Sequence, residues 1–329
     1  MQRAFEIYRG ERWTKMRYSD VFCKKSSRIL LGTAYFGDGI SEKEAFDIMD
    51  KYVSMGGTHI DTARLYADGK SEEIVGKWVR DRKAFDIQVS TKGGFPHKDT
   101  PNVFRLSEKE IRKDIDASLK ATGFDTIDFY WLHHDDITIS PGEIIETLNA
   151  LKKEGKLVDF GVSNWVVERI DEAQKYAESH GLSKISASQM RFNTAVMNEK
   201  GEIANLVGMD GKSFEYYKEN NIPVVAYSSQ AKGFFTKMAE QGESALSDKA
   251  KMRYLNEENM KTLETLKRLS KEHSVSVASI ITGAFCSFAK PEVFSLIGGR
   301  TISQIEDSMN GGDVVLSESE LSEIFKFVL

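Results

Sequence analysis

The sequence predicts a (β/α)8 barrel, a TIM barrel, formed as a single domain over residues 1–329, and three observations carry that prediction. Short β-branched runs alternate with amphipathic, helix-period stretches along almost the whole chain. Eight strand candidates fit in about 300 residues, close to the size of that barrel. The turn after the first strand also lacks the glycine pattern of a doubly wound nucleotide fold, because Glu42 stands where Gly37-Asp38-Gly39 would need its third glycine. With five prolines, no Pro/Gly/Ser linker and no internal repeat, nothing divides the chain into two units.

In chain order the strand candidates are Arg28–Thr33, Thr58–Thr62, Asp86–Thr91, Thr126–Leu132, Val158–Val162, Ile185–Met190, Pro223–Tyr227 and Phe294–Ile297. Helix starts are marked by Ser41 with Glu44, Ser107 with Glu110, Ser140 with Glu143, and Ser303 with Glu306. In each pair a hydroxyl and a carboxylate can satisfy exposed backbone N–H groups. The first helix carries Ala45, Phe46, Ile48, Met49, Tyr52 and Val53 on one stripe and stops at Gly56-Gly57. A later one carries Ile111, Ile115 and Leu119 and ends at Gly123, and the next ends at Gly155. Two segments, about 191–210 and 228–256, exceed ordinary connections and are expected to be extended functional loops.

Composition narrows the function classes. Hydrophobic residues at 40% and charged residues at 29% are an ordinary globular mix, which excludes a disordered or collagen-like chain. A net charge of −5 gives no basic face for a phosphate backbone, so no nucleic-acid partner is expected. Two cysteines, Cys23 and Cys286, cannot build a disulfide framework or a cysteine-based zinc site. The charged opening residues 1–20 lack the apolar run of a signal peptide. The low-charge stretch Ser274 to Ala289 falls short of the roughly 20 residues needed to span a bilayer. A cytoplasmic protein without a membrane partner is the expectation, and no feature specifies an oligomeric state.

In such a barrel the chemistry lies at the C-terminal ends of the strands. Period-two alternation puts His59 with Asp61, Gln88 with Ser90 and Lys92, and Phe129 with Trp131 and His133, each set on one face of its strand. An Asp, a Lys and a His therefore converge on the mouth, with Tyr66 on the adjoining loop. A buried ammonium beside Tyr66 is expected to lower a pKa that is about 10 when unperturbed, with Asp61 keeping the lysine charged. A tyrosine so tuned can protonate a carbonyl oxygen as hydride reaches the carbon, while His133 orients that oxygen. Each residue alone has a structural explanation, as a turn former, a solvated cation or a core edge. Four on consecutive strand ends favour chemistry.

These residues also carry a resemblance. Thr58-His-Ile-Asp-Thr-Ala-Arg-Leu-Tyr66, then Ser71-Glu72 and Gly76, resembles the signature of the aldo-keto reductase superfamily. So do Ser90-Thr-Lys92, Asp128 to His133 and Gly155 to Asn164. The similarity continues through Gln189, Ala226-Tyr227-Ser228 and the run from Ile297 to Gln304. It implies an NAD(P)H-dependent oxidoreductase that reversibly reduces an aldehyde or ketone, sugar-like carbonyls included, with Asp61, Tyr66, Lys92 and His133 as its catalytic tetrad.

The resemblance further implies cofactor contacts from Gly32, Thr33, Ala34 and Asp61. Ser163, Asn164 and Gln189 match the positions that hold the nicotinamide carboxamide, whose donor and acceptor these side chains can pair. Helix capping is the alternative for Asn164. Tyr227 matches the ring that stacks on the nicotinamide, and Ser228, Gln230 and Gly233 the pyrophosphate loop, here with Ser229-Gln230 in place of the common Pro-Leu. The last group is Gly298, Gly299, Arg300, Thr301, Gln304, Asp307 and Ser308. There Arg300, beside the helix that Ser303 is expected to cap, favours the 2′-phosphate of NADP(H) over NAD(H). Gly298-Gly299 and Gln304 stand where many relatives place Lys-Ser and Arg, and Ser308 replaces a usual Asn.

The substrate pocket is expected to be roofed by Tyr35, Phe36, Arg64, Phe95, His134, Trp165 and the two long segments. Arg64 either faces that pocket and reads an anionic substrate, or points outward and pairs with Asp68 or Glu72. Two other functions fit parts of the pattern. A metal-dependent barrel hydrolase would use His59 and Asp61 with His133, His134, Asp135 and Asp136 as ligands, but would leave the nicotinamide-pocket residues unexplained. A nucleotide-occupied regulatory protein on the same fold would retain the tetrad with little turnover.

Overall fold

The computed structural model describes residues 16–97, 99–101, 103–199 and 206–329, so the expectations on residues 1–15 and on the centre of the segment 191–210 lie partly outside it. The described chain begins with a short antiparallel hairpin, β1 (Tyr18–Ser19) and β2 (Ser26–Ser27). Eight strands follow: β3 (Ile29–Gly32), β4 (His59–Asp61), β5 (Gln88–Gly93), β6 (Ile127–Leu132), β7 (Leu157–Ser163), β8 (Ser188–Arg191), β9 (Val224–Tyr227) and β10 (Val293–Ile297). They are parallel and lie in sequence order, and β10 bonds back to β3 to close the barrel. All eight predicted strands are present.

Alternation along each strand separates two layers of core. Leu30, Phe129, Trp131, Ala187, Val225 and Phe294 point inward and pack together. Ile29, Leu31 and Ile60 point outward against α1 (Glu42–Ser54), meeting Ile48, Met49 and Tyr52. Phe22, at the tip of the hairpin, closes the barrel floor. Its ring sits edge-on to His59 at 4.8 Å, to Phe129 at 5.0 Å and to Phe294 at 5.3 Å. Gly57 is required where α1 returns to the barrel, because a Cβ there would lie 2.3 Å from the Tyr52 ring.

The outer helices in order are α2 (Lys70–Arg82), α3 (Glu108–Thr122), α4 (Pro141–Lys153), α5 (Val167–Ser179) and α6 (Gly211–Glu219). They continue with α7 (Phe234–Gln241), α8 (Asp248–Tyr254), α9 (Glu257–His273), α10 (Val277–Ser287), α11 (Ile302–Met309) and α12 (Glu318–Ile324). Ser41 forms the full capping box on α1, and Ser107 and Ser140 cap α3 and α4. The predicted cap at Ser303 is incorrect. Thr301 accepts the N–H of Gln304 instead, so α11 starts two residues earlier. The segment 228–256 is also not an open loop, since it folds into α7, α8 and two short turns that wall one side of the barrel mouth. Among the described residues no helix is long and apolar enough to cross a membrane, and the low-charge stretch near its end is the buried α10.

Candidate active site

Strand register sets the polar cluster at the mouth. Asp61 lies level with Gly32 and Ser90, and Lys92 level with Trp131, so both side chains enter the barrel just beneath its upper rim. Both are fully buried. The Lys92 ammonium pairs with the Asp61 carboxylate and donates to the Thr62 carbonyl at 2.7 Å and to the Tyr66 hydroxyl at 3.4 Å. Its three protons are thereby assigned. Tyr66 opens the short helical turn Tyr66–Gly69, where Ala67 and Asp68 adopt left-handed conformations with φ of 49° and 52°. His133, just beyond β6, stands edge-on to the Tyr66 ring with centroids 5.9 Å apart, and its Nδ1 is buried with no hydrogen-bond partner.

Burial sets the electrostatics. It pushes the Tyr66 phenol above its ordinary value, and Lys92 only partly pulls it back. The expected depression below 10 is therefore not what this free site has, because desolvation of the phenolate outweighs the neighbouring charge. Burial also opposes the charge on Lys92, but Asp61 and Tyr66 together outweigh it and hold the ammonium above its usual range. Burial, then Lys92, drives His133 well below the ordinary imidazole value, so it is neutral at physiological pH.

A cavity of about 1110 Å³ opens over this cluster and runs as a groove toward α11. Of the predicted residues, Tyr66 and His133 line its inner end together with Phe95, Ser163, Asn164, Gln189 and Tyr227, and Tyr35 stands between that end and Arg300. Gly32, Ala34, Ser228, Gln230, Gly233, Gly298, Gly299, Arg300, Gln304, Asp307 and Ser308 line the remainder. Asp61 and Lys92 lie directly behind the wall. Asn164 is not a helix cap. It sits at φ 60°, accepts the Tyr227 hydroxyl at 2.7 Å and donates to the His133 carbonyl at 3.2 Å, while α5 begins after Val166.

Several assignments need correction. Thr33 faces away from the cavity, its hydroxyl 2.7 Å from Ser71, and Thr301, which caps α11, is not among the residues that line the cavity. Phe36 is core packing. Trp165 and His134 are buried against each other behind the rim, with the indole N–H 3.4 Å from the His134 carbonyl. Arg64 does not reach the cavity: it pairs with the buried Glu72 at 2.5 Å and donates to the Asp68 carbonyl at 2.6 Å. Truncating Arg64 to Ala should therefore cost stability, about 1–3 kcal/mol in urea unfolding, by stranding the Glu72 carboxylate. It should change kcat/KM for anionic and neutral aldehydes by the same factor, and a selective loss of the anionic one would restore the pocket assignment.

Sequence reasoning set the two long segments over the pocket but singled out neither Leu65 nor, within those segments, Arg191, Met197, Leu206, Lys232, Lys237 and Arg253, all on the cavity wall. Arg191 was accessible to it, lying two residues beyond Gln189 on the same strand face. Lys232, Lys237 and Arg253 come from the helical insertion after β9, whose placement no local pattern announces.

The groove has the shape and donors that a dinucleotide needs. The floor beside Gly298 is open, since a Cβ there would meet only the Gly32 carbonyl at 3.8 Å. Amide and hydroxyl groups line the inner end, an exposed guanidinium stands at the outer end, and the volume exceeds that of most small-ligand pockets. The residues fit. Among the described residues no group of three or more His, Cys, Asp or Glu could hold a metal ion; His59 is engaged with Ser26 and Ser90 inside the barrel.

The barrel and its mouth define an oxidoreductase acting on a carbonyl or alcohol. The chain belongs to the aldo/keto reductase family, whose model matches residues 28–328, and members of that family depend on NAD(P)H. Norsolorinic acid reductase B of Dothistroma septosporum is 28% identical over 94% of this chain and 81% of its own length. The norsolorinic acid reductase of Aspergillus flavus is 27% identical over 91% of the chain and 76% of its own length. An aryl-alcohol dehydrogenase of Pestalotiopsis microspora is 26% identical over 90% and 76%.

Proposed function

We propose that the protein reduces an apolar, aromatic aldehyde or ketone with NADPH, using Tyr66 as proton donor. The observation that carries this reading is the position of the Tyr66 hydroxyl, on the cavity wall beside neutral His133 and in contact with the buried Lys92–Asp61 pair. Bound at the groove, the nicotinamide supplies the hydride. Tyr66 gives the proton to the carbonyl oxygen, Lys92 stabilises the phenolate left behind, and His133 orients the oxygen. Ser163, Asn164 and Gln189 would hold the carboxamide, and Tyr227 would lie against the ring. The substrate side of the cavity is lined by Tyr35, Leu65, Phe95, Met197 and Leu206. Such a wall favours a flat hydrocarbon skeleton over a polyhydroxylated one, in keeping with the names of the relatives.

NADPH oxidation measured with aromatic, aliphatic and sugar aldehydes tests the reading. Aromatic carbonyls should give the highest kcat/KM, and absence of turnover with every carbonyl would overturn it in favour of a nucleotide-binding role. Preference for NADPH is assigned to Arg300, which lies exposed at the outer end of the groove and stacks on the Tyr35 ring at 4.5 Å. Replacing Arg300 with Ala should weaken NADPH binding by roughly 10- to 100-fold, the scale of a lost charge-assisted hydrogen bond, and leave NADH binding nearly unchanged. Equal losses for the two cofactors in fluorescence titration would remove Arg300 from that role.

A further inference from the structure

A fully buried chain of hydrogen bonds leads from Asp61 down to the hairpin that closes the barrel floor. The Ser90 hydroxyl donates to Asp61 Oδ1 at 2.7 Å, His59 Nε2 lies 3.0 Å from Ser90 Oγ, and His59 Nδ1 lies 2.9 Å from the hydroxyl of Ser26 on β2. Ser26, His59, Ser90 and Asp61 are all 0% exposed. The mechanism uses none of the first three.

Proton counting fixes the direction of every bond. Asp61 faces the Lys92 ammonium and is a carboxylate, so it can only accept. Ser90 has one proton and must place it there. Its oxygen can then only receive from His59, which requires the Nε2–H tautomer of the imidazole. Nδ1 is left as an acceptor, so the Ser26 hydroxyl donates to it in preference to the Ser27 carbonyl, which is further away at 3.2 Å. Burial, then Lys92 and Lys24, lowers the His59 pKa to about 3, so a second ring proton is absent under physiological conditions. The chain ends at Ser26 without reaching solvent and therefore has no proton source, which makes it an orienting device and not a conduit.

We infer that Ser90, His59 and Ser26 are positioning residues for the reducing centre: Asp61 draws the Ser90 proton, Ser90 in turn sets the Nε2–H tautomer of His59, and the hairpin hydroxyl satisfies Nδ1 and holds the ring in place. The inference rests on the proposed tetrad. Each aligned dipole presents its positive end to Asp61 and so partly offsets the negative charge felt by Lys92 and Tyr66. The charged and titratable groups facing those two are Asp61 from β4, His133 after β6, and Tyr227 from β9 with Arg191 from β8 beside it. Lys24 lies below, near His59. Gln189 Nε2 also donates to Asp61 Oδ1, at the longer distance of 3.3 Å, and is the one donor left on that oxygen when the Ser90 hydroxyl is removed.

The test combines pH profiles with a direct view of the ring. In the 15N spectrum of histidine-labelled protein, assigned by difference with His59→Gln, His59 should show a protonated Nε2 and a bare Nδ1, unchanged between pH 5 and 9. Ser90→Ala should move the alkaline limb of kcat for aldehyde reduction upward by about 0.5–1 pH unit, with KM unaltered. Ser26→Ala should shift it less, in the same direction, with the Nε2–H tautomer retained. A Nδ1–H ring in the unmodified protein would overturn the inference, as would wild-type pH profiles in both folded variants. Tyr66→Phe, run alongside, separates the two readings. Full activity in it removes the tetrad and the inference together, whereas an inactive Tyr66→Phe with an unmoved limb in Ser90→Ala removes the inference alone.

Discussion

Replacing Tyr66 with Phe should lower kcat for carbonyl reduction by about 100-fold or more, the loss expected when a positioned general acid is deleted, equivalent to roughly 2.7 kcal/mol of barrel-mouth catalysis. NADPH binding should survive, because the ring and its edge-on contact with His133 remain. Stability should change by no more than about 1 kcal/mol, since the hydroxyl gives up only the long 3.4 Å bond from Lys92. The pH dependence of the parent enzyme follows from the same site. Reduction requires the protonated phenol, and burial holds that proton above the ordinary tyrosine value in the free enzyme. Activity should therefore be level through neutral pH and fall only on the alkaline side, above about 10. His133 is already neutral there, so no acidic limb arises from it. Stopped-flow oxidation of bound NADPH checks the rate, and wild-type turnover in Tyr66→Phe would refute the assignment of the proton donor.

The residues that were legible in advance are those whose environment is set by strand periodicity. Asp61, Lys92 and His133 lie at or just beyond strand ends, and alternation places them on the inward face, each two residues further along in register than the last. The strand runs were readable because parallel strands covered on both sides are apolar on both sides, as Ile29, Leu30 and Leu31 illustrate. Features decided by long-range contacts were not. The hairpin around Phe22 is too short to carry a pattern, and its position comes from aromatic packing with Phe129 and Phe294, more than 100 residues away. Helix α7 is bounded by Gly233 and Gly242 and α8 by Ser247 and Leu255, and each spans only about two turns, too short to display a long stripe. The direction of Arg64 depends on Glu72 being buried, and the pKa direction at Tyr66 depends on how deeply the phenol is covered. Local sequence encodes neither depth.

The largest loss of stability is expected from Lys92→Met. Asp61 and Lys92 are both wholly buried, so removing the ammonium leaves a carboxylate facing its former partner's site with only Ser90 and Gln189 as donors. Breaking a buried pair in this way costs about 3–5 kcal/mol, whereas replacing both members with neutral groups of similar volume is often close to neutral. The double variant Asp61→Asn/Lys92→Met should accordingly recover much of what Lys92→Met loses, although it remains inactive. Linkage gives the pH signature. The folded-state pKa of Lys92 is raised, so its contribution is complete below the unfolded value of about 10.4 and is lost as pH rises through the folded value. The stability gap between wild type and Lys92→Met should thus be widest near neutrality and close only under strongly alkaline conditions. Urea unfolding of the four proteins of the double-mutant cycle, at neutral and alkaline pH, measures this coupling. Additive losses in that cycle would mean that the pair is not a thermodynamic unit, and that Tyr66 is supported by something other than the Lys92–Asp61 pair beneath it.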